Sequence, residues 1–135
     1  MRYKFLEHTA DVKFQAYGKT LSESFENAAL ALKETIAGKI KIKSKIKKKI
    51  KVEGKDNESL LLKFLEEFLF LLDSKNFILS SIKNLKIKNY KLEAEISGDN
   101  ARNYKFTNDV KAVTYNQMFV RQTSGKWVCQ VVLDV

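Results

Sequence analysis

Asp11 and Asp134 are the residues of this chain whose chemistry is best suited to hold a cation. Each carries a carboxylate. Asp134 also stands beside Val135, the last residue of the sequence, whose backbone end adds further oxygen. Oxygen donors of this kind take hard cations such as Ca²⁺ or Mg²⁺ in preference to thiophilic metals. Should the start and the end of the chain lie side by side, these groups would meet at one point. Spacing alone leaves a second reading open, in which two surface aspartates are simply solvated. A general acid and base pair, as in a glycosidase, is another use of two carboxylates. No substrate-cleft motif accompanies that use here. His8 is the one imidazole. It could titrate near neutrality and move protons. The reading preferred is that its ring hydrogen-bonds a neighbour and orients the loop carrying Asp11. Lys111, taken by itself, is a solvated lysine ahead of an apolar-alternating segment.

Other chemistries lack their residues. One histidine and one cysteine, Cys129, do not make a His/Cys zinc site, and a lone cysteine allows no internal disulfide. The absence of a Gly-x-Ser-x-Gly elbow leaves a Ser-His-Asp nucleophile unsupported. Neither a Gly-x-x-x-x-Gly-Lys loop nor a Gly-x-Gly-x-x-Gly loop is present to cradle phosphates. RNP-type stacking aromatics are missing as well. We assign no catalytic residue.

The elements that must position these groups follow from periodicity. Val12, Phe14 and Ala16 alternate with Lys13, Gln15 and Tyr17, which is a strand. Thr20-Leu21-Ser22-Glu23 has capping-box spacing, with Thr20 as N-cap and Glu23 reaching back. Apolar residues then recur at helical spacing to Ile36, and Gly38 is a stop, so the first helix spans about 21–37. Between 39 and 52 isoleucines alternate with lysines, a period of two. One strand of that length would reach roughly 45 Å, too long for a domain this small. A break is therefore expected near 43–46, followed by a strand over about 46–53. Its lysines could form a basic edge or simply guard an edge strand against aggregation.

A second helix is expected from Asn57, as its cap, to about Ser74. Its narrow polar stripe predicts a helix buried between layers at the centre of the fold. Strands follow at roughly 77–88, bent near Ser80-Ser81, then 91–97, 103–106, 111–121 and 126–133. Asn89-Tyr90 and Ser124-Gly125 are the hairpin turns. In the last strand Trp127, Cys129, Val131 and Leu133 share one face, and Val128, Gln130, Val132 and Asp134 share the other. Tyr3, Phe5, Phe14 and Tyr17 alternate with charges near the start, and core packing is the expected use of most of them. The class is α+β, a single domain over 1–135 with two main helices on mostly antiparallel sheet.

Composition bounds the setting. The chain has 135 residues, 44% hydrophobic, no proline and only five glycines, so no linker opens a second domain. The first seven residues hold no apolar run suited to a secretion signal, and the apolar stretch 60–72 is too short to span a bilayer. With its lone cysteine the chain reads as soluble and cytoplasmic. A net charge of +9 suits a phosphate-bearing partner such as RNA. A lysine-rich solvated surface gives the same number, and the scarcity of arginine favours that plainer account.

Three segments together resemble the archease family: Glu7-His8-Thr9-Ala10-Asp11, Lys111-Ala112-Val113-Thr114-Tyr115, and Trp127 through Leu133-Asp134-Val135. The resemblance runs in order over the whole chain. It implies a small non-catalytic accessory protein of the RtcB-type RNA ligase of tRNA splicing. Such a protein promotes ligase guanylylation and multiple turnover, and meets tRNA through the ligase. It also implies a metal site, described as binding calcium, formed by Asp11, Asp134 and Val135. Lys111 would be functional, as a charge partner to that site. The family's histidine after Thr-Tyr is Asn116 here, which removes any role for that imidazole.

Two other readings compete. A basic RNA-binding or chaperone-like module acting on tRNA-processing proteins would explain the charge. A stand-alone metal-dependent hydrolase would need a nucleophile and a base, which are not visible together.

Overall fold

In a computed structural model of the chain, which describes every residue except Thr9 and Thr107, strands and helices follow in a fixed order. They are β1 (Tyr3–Leu6), β2 (Val12–Gly18), α1 (Leu21–Ala37), β3 (Ile46–Glu53), α2 (Asn57–Lys75), β4 (Phe77–Lys88), β5 (Lys91–Asn100), a 3-10 turn (Ala101–Asn103), β6 (Ala112–Thr123) and β7 (Lys126–Asp134). The strands form a four-stranded sheet of order β1-β2-β7-β6 and a three-stranded sheet of order β3-β5-β4. All pairings are antiparallel. This is the expected α+β class.

Local chemistry sets the helix ends. The Glu23 N–H donates to Thr20 Oγ1 at 3.1 Å, and the Lys19 N–H donates to Glu23 Oε1 at 3.2 Å. The reciprocal bond thus reaches one residue past the cap. Gly38 ends α1 at φ 70°, its N–H donating to the Glu34 carbonyl at 2.7 Å. The second helix is capped by Asp56, not by the expected Asn57. The Ser59 N–H donates to Asp56 Oδ1 at 2.7 Å, and the Asp56 N–H donates to Ser59 Oγ at 3.1 Å. A charged acceptor one residue earlier wins because Asn57 itself already has helical geometry.

Each helix touches strands of both sheets. Phe25 of α1 and Phe64 of α2 stack with ring centroids 6.0 Å apart, joining the helices inside the core. Phe14, Val131, Leu133 and Leu92 come from the sheets to meet them, each fully buried. Each such side chain contributes roughly 1.5–3 kcal/mol by leaving water. The second helix is less enclosed than its composition suggests. Leu60, Leu61, Phe64, Leu65, Phe68 and Leu71 are buried, but Phe70 is 54% exposed and Lys63 and Glu66 face solvent.

Two strand expectations need correction. Residues 103–106 form no strand; the 3-10 turn ends at Asn103, and Tyr104 closes it. β1 was not anticipated. Its four residues pair with β2 through Tyr3↔Ala16 to Leu6↔Lys13, and so short a segment gains its structure from the partner strand. The break before β3 and the bend between Leu79 and Ser81 lie where expected. The turns Asn89-Tyr90 and Ser124-Gly125 do too, each with both residues at positive φ.

Candidate metal centre

The final strand lies inside the four-stranded sheet because both of its neighbours pair with it along their length. On one side Val12↔Leu133 begins the β2 ladder; on the other Ala112↔Asp134 begins the β6 ladder. Asp11 is the residue just before that first ladder, in a bend, and Asp134 is the last residue of β7. The two residues thus flank the first rung of that ladder, at the same corner of the sheet. Asp134 is exposed and the Asp11 side chain is 32% exposed. The Lys111 N–H donates to the Asp134 carbonyl at 2.8 Å, which fixes the backbone under the second carboxylate.

The outer face of this sheet carries a polar network which periodicity alone had not joined up. The Tyr17 hydroxyl donates to Gln15 Oε1 at 3.0 Å, and Gln15 Nε2 donates to Gln130 Oε1 at 2.9 Å. Gln130 Nε2 then donates to the Gln117 carbonyl at 2.8 Å, while Lys13 Nζ donates to Gln117 Oε1 at 2.8 Å. The signal was present in the parity: Lys13, Gln15, Tyr17 and Gln130 occupy the outward positions. The network holds a bulge in β6, where the register jumps from Thr114↔Val132 to Phe119↔Gln130. Gln117 adopts φ 55° there, and Tyr115 projects, 55% exposed. Asn116 lies on the same bulge, exposed, its N–H donating to Thr114 Oγ1 at 3.3 Å.

His8 Nδ1 stands 3.9 Å from Asp11 Oδ2, with the histidine side chain 17% exposed. That is beyond hydrogen-bond reach. The nitrogen is buried and has no hydrogen-bond partner, so the expected orienting bond is not made at Nδ1. Leaving such an atom unpaired costs roughly 1–3 kcal/mol, and among the described residues it is the one buried side-chain nitrogen or oxygen without a hydrogen-bond partner. Thr9 of the same run lies outside the described residues. Lys111 is exposed and, among the described residues, its side chain makes no ion pair within 4.0 Å. Its contact with the corner is through the backbone. Val135 follows Asp134 directly and is half-buried.

The donor chemistry fits a hard cation: two carboxylates on adjacent strand ends, with backbone oxygen beside them. It does not fit a transition metal. Among the described residues no three His, Cys, Asp or Glu side chains gather to hold an ion of either kind, so a hard cation here would depend on the two aspartates together with backbone oxygen. Cys129 is fully buried against Ser24 Oγ at 3.3 Å, and burial pushes its thiol up to about 12. It is neither a nucleophile nor a thiolate ligand.

The Archease protein family (MTH1598/TM1083) matches residues 3–135, which takes in every element described above. The chain belongs to the archease family. The archease of Methanosarcina barkeri is 39% identical over 99% of this chain and 96% of its own length. That of Pyrobaculum neutrophilum is 40% identical over 98% of this chain and 95% of its own. The solution structure of Methanobacterium thermoautotrophicum protein 1598 superposes with a TM-score of 0.84 at 30% identity, covering 99% of each chain. The Thermotoga maritima crystal structure, described as an archease and possible chaperone, gives 0.67 at 21% identity, covering 98% of this chain and 96% of that one. At that identity the second likeness concerns the fold. In this archease the start of β2, the end of β7 and the residue before β6 meet at one sheet corner. No helix among the described residues is long and apolar enough to cross a membrane.

Proposed function

We propose that this archease is a cytoplasmic, non-catalytic activator of an RtcB-type RNA ligase in tRNA splicing, promoting ligase guanylylation and multiple turnover. The observation that supports the reading is the Val12↔Leu133 pairing of an archease domain, which brings the residue before β2 and the end of β7 to one corner. Asp11, Asp134 and a backbone oxygen of Val135 would hold Ca²⁺ or another hard cation such as Mg²⁺. When bound, such an ion supplies concentrated positive charge beside a partner's nucleotide or metals.

The chain's own residues do the positioning. The bond from the Lys111 N–H to the Asp134 carbonyl keeps the second carboxylate on a rigid strand. The exposed Lys111 side chain and the protruding Tyr115 bulge stand ready for the partner's surface. His8 stands beside Asp11, its Nδ1 3.9 Å from Oδ2. Among the described residues no nucleophile and base meet at this corner.

The test is single-turnover guanylylation of the cognate ligase, with GTP and Ca²⁺ or Mg²⁺ and without RNA. The wild-type chain accelerates the step, and Asp11→Ala and Asp134→Ala lose most of that acceleration. Undiminished activation by both variants would sink the reading.

A further inference from the structure

The three-stranded sheet turns one face to the helices and the other to solvent. On the solvent face β5 runs down the middle with Glu93 and Glu95, and lysines stand on both flanks. Lys49 and Lys83 register with Glu95, and Lys51 and Lys86 register with Glu93. Lys47 and Lys88 extend the two flanks, and all six of these lysines are exposed. None of them makes an ion pair within 4.0 Å among the described residues, although two glutamates stand between the rows. Six lysines against two glutamates leave the face with an excess of positive charge.

A backbone irregularity brings the second row together. Strict alternation would put Lys83 on one face of β4 and Lys86 and Lys88 on the other. The register shifts between Lys83 and Lys86, and Asn84 takes φ 53° there, a conformation asparagine tolerates better than most residues. The Asn84 side-chain amide donates to Glu95 Oε2 and fastens the bulge. The inserted residue changes the phase of the strand. All three lysines then face outward, while Leu85 and Ile87 pack inward on the core.

The same face is furrowed along its length. Hollows of about 490, 330 and 740 Å³ follow one another and share lining residues, the first two Lys49 and Glu95, the second two Lys51, Lys86 and Glu93. Successive lysines on a flank stand roughly 7 Å apart, and the two flanks roughly 10 Å apart across the middle strand. The result is a shallow, open trough with lysines along both flanks and Glu93 and Glu95 in its floor.

We infer that this trough binds the phosphodiester backbone of a single RNA strand, without reading its bases. A line of unpaired lysines is complementary to a line of phosphates. Arginine forks and stacking aromatics, the groups that read bases, are absent from the two rows and the strand between them. The choice of RNA over DNA rests on the ligase-accessory reading above; the recognition of phosphate does not.

The experiment is fluorescence anisotropy of a labelled oligouridine RNA of about twelve nucleotides, titrated with the protein alone across a salt series. Each phosphate contact on a single strand contributes about 0.7 to the slope of log affinity against log salt. The expected wild-type slope is about −2 to −3. The triple variant Lys49→Ala/Lys51→Ala/Lys86→Ala loses about 2 of that slope and at least about tenfold in affinity at low salt. The matching triple arginine variant keeps both, and circular dichroism checks that each variant is folded. Absence of binding at low salt, or an unchanged slope in the alanine variant, overturns the inference. Equal competition by polyglutamate of the same charge points to an acidic protein instead and also overturns it. DNA of the same length bound more tightly than RNA overturns the assignment to RNA. Guanylylation needs no RNA, so failure here and failure of the activator reading are separate results.

Discussion

The backbone N–H of Lys111 donates to the carbonyl of Asp134 at 2.8 Å, one residue before β6 begins and at the last residue of β7. The bond makes the position of Asp134 depend on the lysine's main chain and not on its ammonium. Lys111→Ala keeps the donor, so divalent-ion affinity stays within about twofold of wild type by isothermal calorimetry, while ligase activation falls. Lys111→Pro removes the donor and costs roughly 1 kcal/mol or more in stability. It weakens ion affinity several-fold. Equal ion affinities in the two variants would separate the corner's geometry from this bond.

Removing either carboxylate tests the centre directly. Asp11→Ala and Asp134→Ala each lower Ca²⁺ affinity by at least about tenfold. The side chains are exposed or partly so, and the melting temperature without added metal shifts by less than about 3 °C. A double variant no weaker than either single one would show that both groups serve one ion.

Gly98 is a packing constraint in the three-stranded sheet. A Cβ built on it would stand 2.0 Å from the Ile78 carbonyl oxygen. A backbone atom cannot swing aside as a long side chain can. Gly98→Ala therefore destabilises the fold by roughly 2–3 kcal/mol, read as a lower urea midpoint at an unchanged m-value. A midpoint equal to wild type would show that the strands separate freely there.

Asp99 gives the fold an acid-sensitive tie. The Tyr104 hydroxyl donates to its Oδ2 at 2.7 Å and the Asn100 N–H donates to its Oδ1 at 2.8 Å. Those bonds, the tyrosine's first, hold its carboxyl below the ordinary 3.8. A lowered folded value stabilises the native state above the unfolded value, and that contribution is lost as pH falls through the folded value. Urea midpoints measured from about pH 6 down to about pH 2.5 therefore fall more steeply for wild type than for Tyr104→Phe. Parallel curves would remove the tie.

The Cys129 thiol, pushed up to about 12 by burial, stays unreactive in the native state. Alkylation by iodoacetamide at neutral pH proceeds at the rate of unfolding, and urea accelerates it to that of a free thiol. Fast labelling of the folded protein would contradict the packing against Ser24.

Much of the local structure was legible because its causes are local. Thr20 and Glu23 mark the start of α1, and Gly38 its end, since caps act over three or four residues. The lysine-isoleucine alternation marked β3, because parity shows in any strand that has one wet face. Asp56 for Asn57 was a one-residue error of the kind that terminal geometry produces. The absent strand at 103–106 and the unforeseen β1 have a different origin: a short segment is a strand only if another strand accepts its hydrogen bonds. The polar network Gln15–Gln130–Gln117 was visible as outward parity but not as contact.

By itself the sequence determined the two helices, the phases of β2, β3 and β7, the turn positions and the oxygen chemistry of Asp11 and Asp134. These follow from periodicity, capping and side-chain type, which act within a few residues. Only the tertiary structure decided that Val12 pairs with Leu133, that Lys111 holds Asp134, and that a bulge at Asn84 gathers Lys83, Lys86 and Lys88 on one face. Each of these is a choice of register between segments distant in sequence. Such a choice is made by which hydrogen-bond ladders and buried faces can be satisfied together in the folded chain.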